Sequence, residues 1–310
     1  MSASDDPNSE TRAPSTTTIV VLVALLCLVW GSTWFVIGAG LKDLPPFTSA
    51  AVRFVVAAVI MTALAPVLSR REGGTRPPFV AWFWVGVLNF GASYAIVYWS
   101  ETHIPSGLTS VLWSVFPMMM AVSGSLFLEG EKIRARQGLG FLLGFAGVTV
   151  LFATDLRALS SETVTAGLIL LGSPLVSAVG TTIQKRHGGK SSSVLMNRNA
   201  MWVGALILCA LALAFERSAS RTWTPSAIGS VAYLSVLGTA LTFSLYFWLL
   251  RHVAAYRLSM IAYITPAIAL TLGTLVGKEP LTVWTIVGSA TILVGVALVV
   301  VRRRTRPAGL

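Results

Sequence analysis

Polar and aromatic side chains recur at helical spacing within the apolar stretches of this sequence. Residues three or four positions apart lie on one face of a helix, and a face of rings and hydroxyls can bind a small molecule by stacking and hydrogen bonding. The candidate ligand-binding residues on such faces are Trp30, Trp34, Tyr94, Tyr98, Ser110, Trp113, Ser177, Thr181, Thr242, Tyr246, Ser259 and Tyr263. Single serines and threonines also serve as hydrogen bonds between membrane helices. It is the set as a whole that predicts a shared polar interior.

No acidic residue falls in the middle of an apolar stretch. A proton-coupled carrier of cationic compounds usually needs a carboxylate inside the membrane, where it binds proton and cation in turn. The pattern therefore favours a neutral, zwitterionic or apolar-bodied ligand, moved either by facilitated transport or with coupling through groups nearer a cavity mouth. Glu101 and His103 are the candidates for that mouth, with an ordinary solvated loop as the alternative.

Arg53 lies just inside an apolar stretch, as does Arg198. A guanidinium in that position must find a carbonyl, an acid or a route to the membrane interface. Two roles stay open for Arg53: bracing the fold, or gating and binding a carboxylate of the ligand. Glu131 and Glu279 are expected to cap the fifth and tenth helices or to pair with loop arginines, because a carboxylate in a first turn complements the helix dipole.

Catalytic groups are scarce in this chain. There are three histidines and two cysteines, both cysteines lie within apolar stretches, and the acids are not clustered. A catalytic triad, a metal site and a phosphate-binding loop are all missing from the sequence pattern. We therefore predict a protein that is not an enzyme and that has no cofactor and no bound metal.

The elements that must position these residues are membrane helices. Apolar residues make up 55% of the 310 positions and charged residues 11%, against roughly 45–50% and about 25% in soluble domains. Stretches of about 20 apolar residues are long enough to cross a bilayer. The sequence predicts ten such spans, at residues 18–38, 47–68, 78–99, 105–128, 137–153, 163–184, 194–215, 226–249, 255–276 and 282–301.

The distribution of lysine and arginine predicts the orientation of these spans. With the N-terminus inside, the inner loops and tails hold 16 of these residues and the outer loops five, as the positive-inside rule requires. Both termini are thus expected in the cytoplasm: residues 1–17 as a disordered tail and 302–310 as a basic one, with 154–162 as an outer connecting loop. Because the net charge of +11 is spread through short loops, nucleic-acid binding is not expected.

The chain repeats itself after about 149 residues. Pro117 follows Ser110 by seven residues, as Pro266 follows Ser259, and Glu131 and Glu279 occupy matching positions in the two copies. Each copy holds five spans, 18–153 and 163–301, so the second must enter the membrane from the opposite side. Inverted repeats are typical of secondary transporters. Pro117 and Pro266 are candidate hinges, because proline weakens the helical hydrogen-bond ladder, with a static kink as the alternative.

Several motifs resemble the EamA-type branch of the drug/metabolite transporter superfamily. These are "WGSTWFVIG", "PPFTSAAVRF", "GLTSVLWSVFP" followed by "LFLEGEKI", and "LSMIAYITP" followed by "LVGKEPLT". The resemblance implies ten helices around a central cavity lined by spans one, three, four, six, eight and nine, in an exporter of metabolites. One subgroup exports aromatic amino acids, and the chain is similar to it in size and aromatic content.

The favoured interpretation is a transporter of the bacterial inner membrane that exports aromatic or other neutral amino acids, or related metabolites, by alternating access. Its expected partners are a neutral or zwitterionic small molecule and the lipid bilayer, and a monomer is a plausible oligomeric state. The alternatives are a multidrug or cationic-compound efflux protein and, from another class, a membrane enzyme or scaffold.

Overall fold

The computed structural model describes residues 15–128, 133, 135–153, 161–189, 191–252, 258, 261–279 and 281–300. This part of the chain is helical, with one isolated bridge between Thr75 and Ser191 and no named strand. Seven helices are long and apolar enough to cross a membrane. Three further apolar helices, at Ala135–Ala153, Ile261–Leu275 and Val283–Val300, bring the described spans to ten. The predicted all-α membrane fold is confirmed.

Four of the ten spans are interrupted or change their helical pitch. Span one is Thr16–Gly40, span two Pro46–Glu72, span five Ala135–Ala153, span seven Ser193–Phe215, span nine contains Ile261–Leu275, and span ten is Val283–Val300. Spans four and six each consist of two helices, Ser106–Trp113 with Phe116–Phe127, and Ser161–Leu170 with Gly172–Gly188. Spans three and eight each contain a π-helical segment between two α-helices. In span three the π-helix Gly86–Ala92 lies between Phe79–Val85 and Ser93–Ser100. In span eight the π-helix Val236–Leu241 lies between Pro225–Ser235 and Thr242–His252.

The contacts between spans follow the repeat. Span two packs against its own equivalent, span seven, and span five packs against span ten. Span one packs against span nine, just as the equivalent span six packs against span four. Pairings of this kind are those of two copies related by a pseudo-two-fold axis, so the inverted arrangement predicted from the sequence is observed.

The glycines of the repeat explain how spans five and ten approach each other. A Cβ atom on Gly147 would lie 2.8 Å from the carbonyl oxygen of Gly288, and one on Gly295 would lie 2.6 Å from the carbonyl oxygen of Gly140. Small residues allow membrane helices to pack backbone to backbone. Any larger side chain at these positions would force the two helices apart.

Loop contacts define the two ends of the bundle. At one end, which the predicted orientation makes the outer end, Thr222 donates its N–H to the carbonyl oxygen of Asp43, and Thr224 donates its hydroxyl to the Asp43 carboxylate (2.6 Å). At the inner end, Ser192 donates its N–H to the carbonyl oxygen of Thr75 (2.9 Å). Each end thus joins loops from both repeats.

Two glutamates cap helices of the opposite repeat. At the outer end Glu216, after span seven, accepts hydrogen bonds from the N–H groups of Phe47 and Thr48 at the start of span two (2.7 and 2.6 Å). At the inner end Glu72, the last residue of span two, accepts from the N–H of Val194 in the first turn of span seven (3.2 Å). The two caps are reciprocal, so each repeat satisfies the free backbone donors of the other.

Glu279 corrects one expectation from the sequence. Its carboxylate does not cap span ten; it accepts from Ser106 N–H (3.0 Å), Ser106 Oγ (2.6 Å) and Gly107 N–H (3.1 Å) at the start of span four. The donors nearest to it in space therefore belong to the first repeat, although span ten follows it in the chain. The equivalent Glu131 lies outside the described residues.

The two repeat prolines lie in different local structures. Pro117 occupies the first turn of Phe116–Phe127, directly after the break in span four, where its missing N–H costs little. Pro266 lies inside Ile261–Leu275. Span four is therefore broken beside its proline, while the described part of span nine continues through it. The hinge role of both residues stays a prediction.

Candidate functional site

Spans one and eight meet through an aromatic cluster in the bundle. The indole N–H of Trp30 donates to Thr242 Oγ1 (3.0 Å). The Trp30 ring lies 5.2 Å from the Tyr246 ring and 5.6 Å from the Phe243 ring. Three of the candidate ligand-binding residues, predicted from two separate spans, are thus in direct contact.

A second aromatic cluster joins spans one, four and six. The ring centroids of Trp34 and Trp113 are 6.0 Å apart, and Phe116 stacks on Trp113 at 5.0 Å and 15°. The indole N–H of Trp113 donates to Ser173 Oγ (3.0 Å), which in turn bonds to Ser93 Oγ in span three (2.7 Å). Trp34, Trp113 and Phe116 remain partly exposed, so their faces can contact a ligand.

Arg53 lies at the meeting point of spans two, three and eight. Its guanidinium donates to Thr239 Oγ1 (2.8 Å), Tyr98 OH (3.2 Å) and the carbonyl oxygen of Gly238 (3.3 Å), and its Cζ lies 4.8 Å from the centre of the Tyr94 ring. Only 1% of its surface is exposed. Tyr94 and Tyr98, two further candidates, therefore both contact Arg53; Tyr98 is fully buried, whereas Tyr94 is partly exposed.

The π-helical segments supply backbone and side-chain groups to these contacts. Gly238 and Thr239 belong to the segment in span eight, and Asn89 belongs to the equivalent segment in span three. Asn89 donates from Nδ2 to the carbonyl oxygen of Ser177 (3.1 Å) and to Thr181 Oγ1 (3.0 Å). π-Helical turns are rare and often lie at functional sites. Both segments face the bundle interior, where the candidate residues are concentrated.

Asn89, Ser93, Ser173 and Phe116 were not predicted as site residues. Asn89 is a polar residue in the middle of an apolar span, which is a usable signal because buried amides seek partners. Ser93 and Ser173 gave no such signal, since single serines are common in membrane helices. Their pairing depends on how spans three and six are rotated against each other.

The remaining candidates are placed as follows. Ser110 is 2% exposed, and its Oγ has no hydrogen-bond partner among the described residues. Ser177 and Thr181 bond to Asn89 in span three. Ser259 lies outside the described residues, and so does the side chain of Tyr263. In the described ranges, no three His, Cys, Asp or Glu side chains are grouped so as to hold a metal ion.

Glu101 and His103 lie at the outer end, between spans three and four. The His103 ring packs 4.6 Å from the Trp99 ring, and its Nδ1 is 2.7 Å from Thr102 Oγ1. Glu101 is buried, with 8% of its surface exposed, and neither carboxylate oxygen has a hydrogen-bond partner in the described part of the chain. Burial, together with the negative charge of Glu279, raises the pKa of Glu101 well above its usual value, against the opposing effect of Arg53.

Comparison with known proteins agrees with this architecture. The EamA-like transporter family matches residues 17–153 and again 164–301. The uncharacterized transporter YoaV of Bacillus subtilis is 25% identical over 279 residues, 90% of this chain and 95% of YoaV. The uncharacterized inner membrane transporter YedA of Escherichia coli K12 is 30% identical over 262 residues, 83% of this chain and 82% of YedA.

A solved crystal structure shares the fold. It superposes with a TM-score of 0.66 at 18% sequence identity, covering 92% of this chain and 98% of the other. The family match extends over both five-span halves, which are also the two halves seen in the contacts between spans. The chain therefore belongs to the EamA-like transporter family, within the drug/metabolite transporter superfamily, and is a multi-pass membrane transporter.

Proposed function

We propose that this transporter exports aromatic or other neutral amino acids, or related small metabolites, by alternating access. The supporting observation is that rings and hydroxyls of spans one, three, four, six and eight contact one another inside the bundle. Partly exposed indole rings such as Trp34 and Trp113 offer stacking surfaces to an apolar or aromatic body. The ligand's polar atoms would bond to serine and threonine hydroxyls beside them.

The carboxylates in the described part of the chain support a ligand without a net positive charge. Glu72, Glu216 and Glu279 bond to helix N-termini, Asp43 bonds to Thr224, and Glu162 lies in the first turn of its helix. All five are at helix ends, and so is the sixth described carboxylate, Glu101, which directly follows the last helix of span three. A cation would therefore find none of them in the central part of the bundle.

Transport by purified protein in liposomes tests the proposal. Uptake of labelled Phe, Trp and Thr is measured beside a cationic dye, with and without an imposed pH gradient. We expect flux of at least one amino acid and none of the dye. Dye flux that requires the gradient, without amino-acid flux, would contradict the proposal.

Variants of the aromatic clusters test where the ligand binds. Trp113→Ala and Trp34→Ala should each reduce amino-acid flux about tenfold or more, because each removes a stacking surface worth roughly 1.4 kcal/mol. The matched control is Trp223→Ala, since Trp223 is 46% exposed at the end of the bundle, away from both clusters. Equal flux in all three variants would show that the ligand binds elsewhere.

Glu101 favours a second candidate function, efflux of cationic compounds. A buried carboxylate without a hydrogen-bond partner can bind a proton and a cation in turn. On this hypothesis Glu101→Gln abolishes gradient-driven dye transport, whereas amino-acid flux stays absent throughout.

The proposed location is the bacterial inner membrane with both termini in the cytoplasm. The 16 to five distribution of lysine and arginine supports this orientation. The E. coli relative is itself named an inner membrane transporter.

A further inference from the structure

Glu101 occupies a buried position at the outer end, with 8% of its surface exposed. It follows Ser100 at the end of span three, and its Oε2 lies 4.0 Å from where a Cβ atom on Gly38 of span one would be. A Cβ atom on Gly38 would also lie 3.8 Å from the Ser106 side chain at the start of span four. The carboxyl group is therefore enclosed where spans one, three and four meet.

Two described charged groups act on Glu101 in opposite directions, and neither forms a hydrogen bond with it. From the segment after span nine comes Glu279, a like charge held in place by three donors at the start of span four. From span two comes Arg53, whose guanidinium bonds to Thr239, Tyr98 and Gly238.

Two further titratable groups lie on the same part of span three and its loop. The Tyr98 hydroxyl accepts from Arg53 (3.2 Å), and the His103 ring packs against Trp99 and bonds to Thr102. Neither is hydrogen-bonded to Glu101, whose two oxygens have no partner in the described ranges. Burying an ionised carboxylate without a hydrogen-bond partner is costly, and this cost favours the protonated form.

We propose that Glu101 is a proton-binding site that must be occupied for the outer end of the bundle to close, and that loss of this proton holds the outer end open. The inference rests on the alternating-access transport proposed above. Because Glu101 is buried only when spans one, three and four are together, opening the outer end would expose it to water.

The direction of the pH effect follows from linkage. The closed form raises the pKa of Glu101, whereas water restores the usual pKa when the outer end opens. The closed form thus binds the proton more tightly, and raising the outer pH favours the open form. Each unit of difference between the two pKa values shifts the equilibrium about tenfold.

The proton that binds at Glu101 enters from the outer solution and returns to it. Outer acidity therefore accelerates the return of the empty carrier to its inward-facing form without itself driving transport. The effect depends on the pH of the outer solution and persists when the inner pH is set to the same value.

Cysteine labelling measures closure without any transported ligand. The protein is reconstituted in full length with Cys27→Ser, Cys209→Ser and Ile104→Cys, because Ile104 is only 4% exposed in the closed outer end. A membrane-impermeant maleimide is applied from outside between about pH 6 and about pH 9, and each rate is corrected for thiolate content with an exposed Thr102→Cys control. We expect the corrected rate to rise about tenfold or more with pH.

Glu101→Gln is the decisive variant, since its neutral amide imitates the protonated acid. In that background labelling should be slow at every pH. Glu279→Gln should move the midpoint of the labelling curve to lower pH, because it removes the neighbouring negative charge. In infrared spectra the chain with Glu101 should lose a protonated carboxyl band as the pH rises, and Glu101→Gln should lack that band.

The results that would overturn the proposal are a flat labelling curve in the parent chain, or an unchanged curve in Glu101→Gln. His103→Asn tests the other titratable side chain of this loop. If His103→Asn makes labelling independent of pH and Glu101→Gln does not, His103 rather than Glu101 is the proton site. None of these measurements needs a transported substrate. Failure of the liposome flux assay would therefore be distinguishable from failure of this inference.

Discussion

At the residue scale, one guanidinium joins three spans. The sequence left open whether Arg53 braces the fold or binds a carboxylate, and the geometry favours bracing, because its bonds go to the neutral groups of Tyr98, Gly238 and Thr239. The planar guanidinium group can donate to all three acceptors at once. A lysine ammonium group has a different donor geometry and cannot reproduce these three hydrogen bonds. Arg53 thus fixes the rotation of spans two, three and eight against one another.

We expect Arg53→Lys to lower the stability of the folded protein by about 1–3 kcal/mol for each buried acceptor that it leaves unpaired. The measurement is thermal unfolding in detergent, followed by intrinsic tryptophan fluorescence. Arg198→Lys is the control, because Arg198 also lies near the start of its span but is partly exposed, and its guanidinium donates to Asn199 Oδ1 (3.0 and 2.9 Å). Equal losses of thermal stability in the two variants would show that the hydrogen bonds of Arg53 contribute no special stabilisation to the fold.

The residues of the candidate site were only partly predictable. Helical spacing placed Trp30, Trp34 and Trp113 on candidate ligand-binding faces, and in the structure these side chains contact other aromatic rings, while their role in binding stays a prediction. The same spacing could not show that Tyr98 contacts Arg53, or that Asn89 joins Ser177. Periodicity defines a face of one helix, whereas a contact also depends on the rotation of the neighbouring helix.

At the scale of elements, the helices are completed by the opposite repeat. Glu72 of span two caps span seven, and Glu216 after span seven caps span two. Each carboxylate satisfies N–H groups that a helix start cannot pair internally and also meets the positive end of the helix dipole. The caps therefore hold spans two and seven in register at both ends.

Glu72→Gln and Glu216→Gln should each reduce stability by about 0.5–2 kcal/mol, the usual value of an N-cap. Because the caps lie at opposite ends of the bundle, the double variant should lose the sum of the two within about 0.5 kcal/mol. Chemical unfolding from mixed micelles provides the comparison. The control is Glu162→Gln, since Glu162 is an exposed residue in a first turn, and a loss as large as that of the caps would contradict their assignment.

The π-helical segments could not be predicted from hydrophobic patterning, because a continuous run of apolar residues gives the same pattern whether the helix is α or π. A π turn contains more residues than an α turn. Removing one residue from Gly86–Ala92 can therefore be absorbed by a return to α-helix, with the flanking helices kept in place.

We expect deletion of Leu88 to preserve membrane insertion and most of the thermal stability while reducing flux, since it displaces the Asn89 amide from Ser177 and Thr181. Deletion of Ile96 is the matched comparison in the regular helix that follows. It rotates the end of span three by about 100° and should destabilise the protein more strongly. A less stable Leu88 deletion would refute the interpretation.

At the scale of the whole molecule, the outer end of the bundle buries the charged side chains of Arg53 and Glu101. Arg53 at the outer end is sealed, with 1% exposed. Arg198, near the start of span seven, lines a cavity of about 350 Å³ together with Arg76 and Asn199. A carrier that works by alternating access is expected to close one end while the other is accessible. The burial of Arg53 and Glu101 is what a closed outer end should show.

Labelling in intact cells checks the predicted orientation. Ser218→Cys, in the exposed loop after span seven, should react with an impermeant maleimide added outside, whereas Thr75→Cys, in the exposed loop after span two, should react only after permeabilisation. Both variants are made without Cys27 and Cys209. Reaction of Thr75→Cys alone in intact cells would reverse the assignment of the outer and inner ends.

The number of spans, their duplication and the inverted relation of the two halves could all be predicted from the amino-acid sequence. These follow from the length of apolar stretches and from residues repeated at a constant offset, which are local properties of the chain. An odd number of spans per copy then requires the second to be inverted.

The contacts between residues of different spans could not be predicted from the sequence and are seen only in the folded molecule. The bond between Trp30 and Thr242 joins positions 212 residues apart, and Glu279 caps a helix start 173 residues earlier in the chain rather than the helix that follows it. Such contacts depend on the rotation, tilt and close approach of packed helices. These quantities arise from all ten spans together and cannot be read from the periodicity of any one of them.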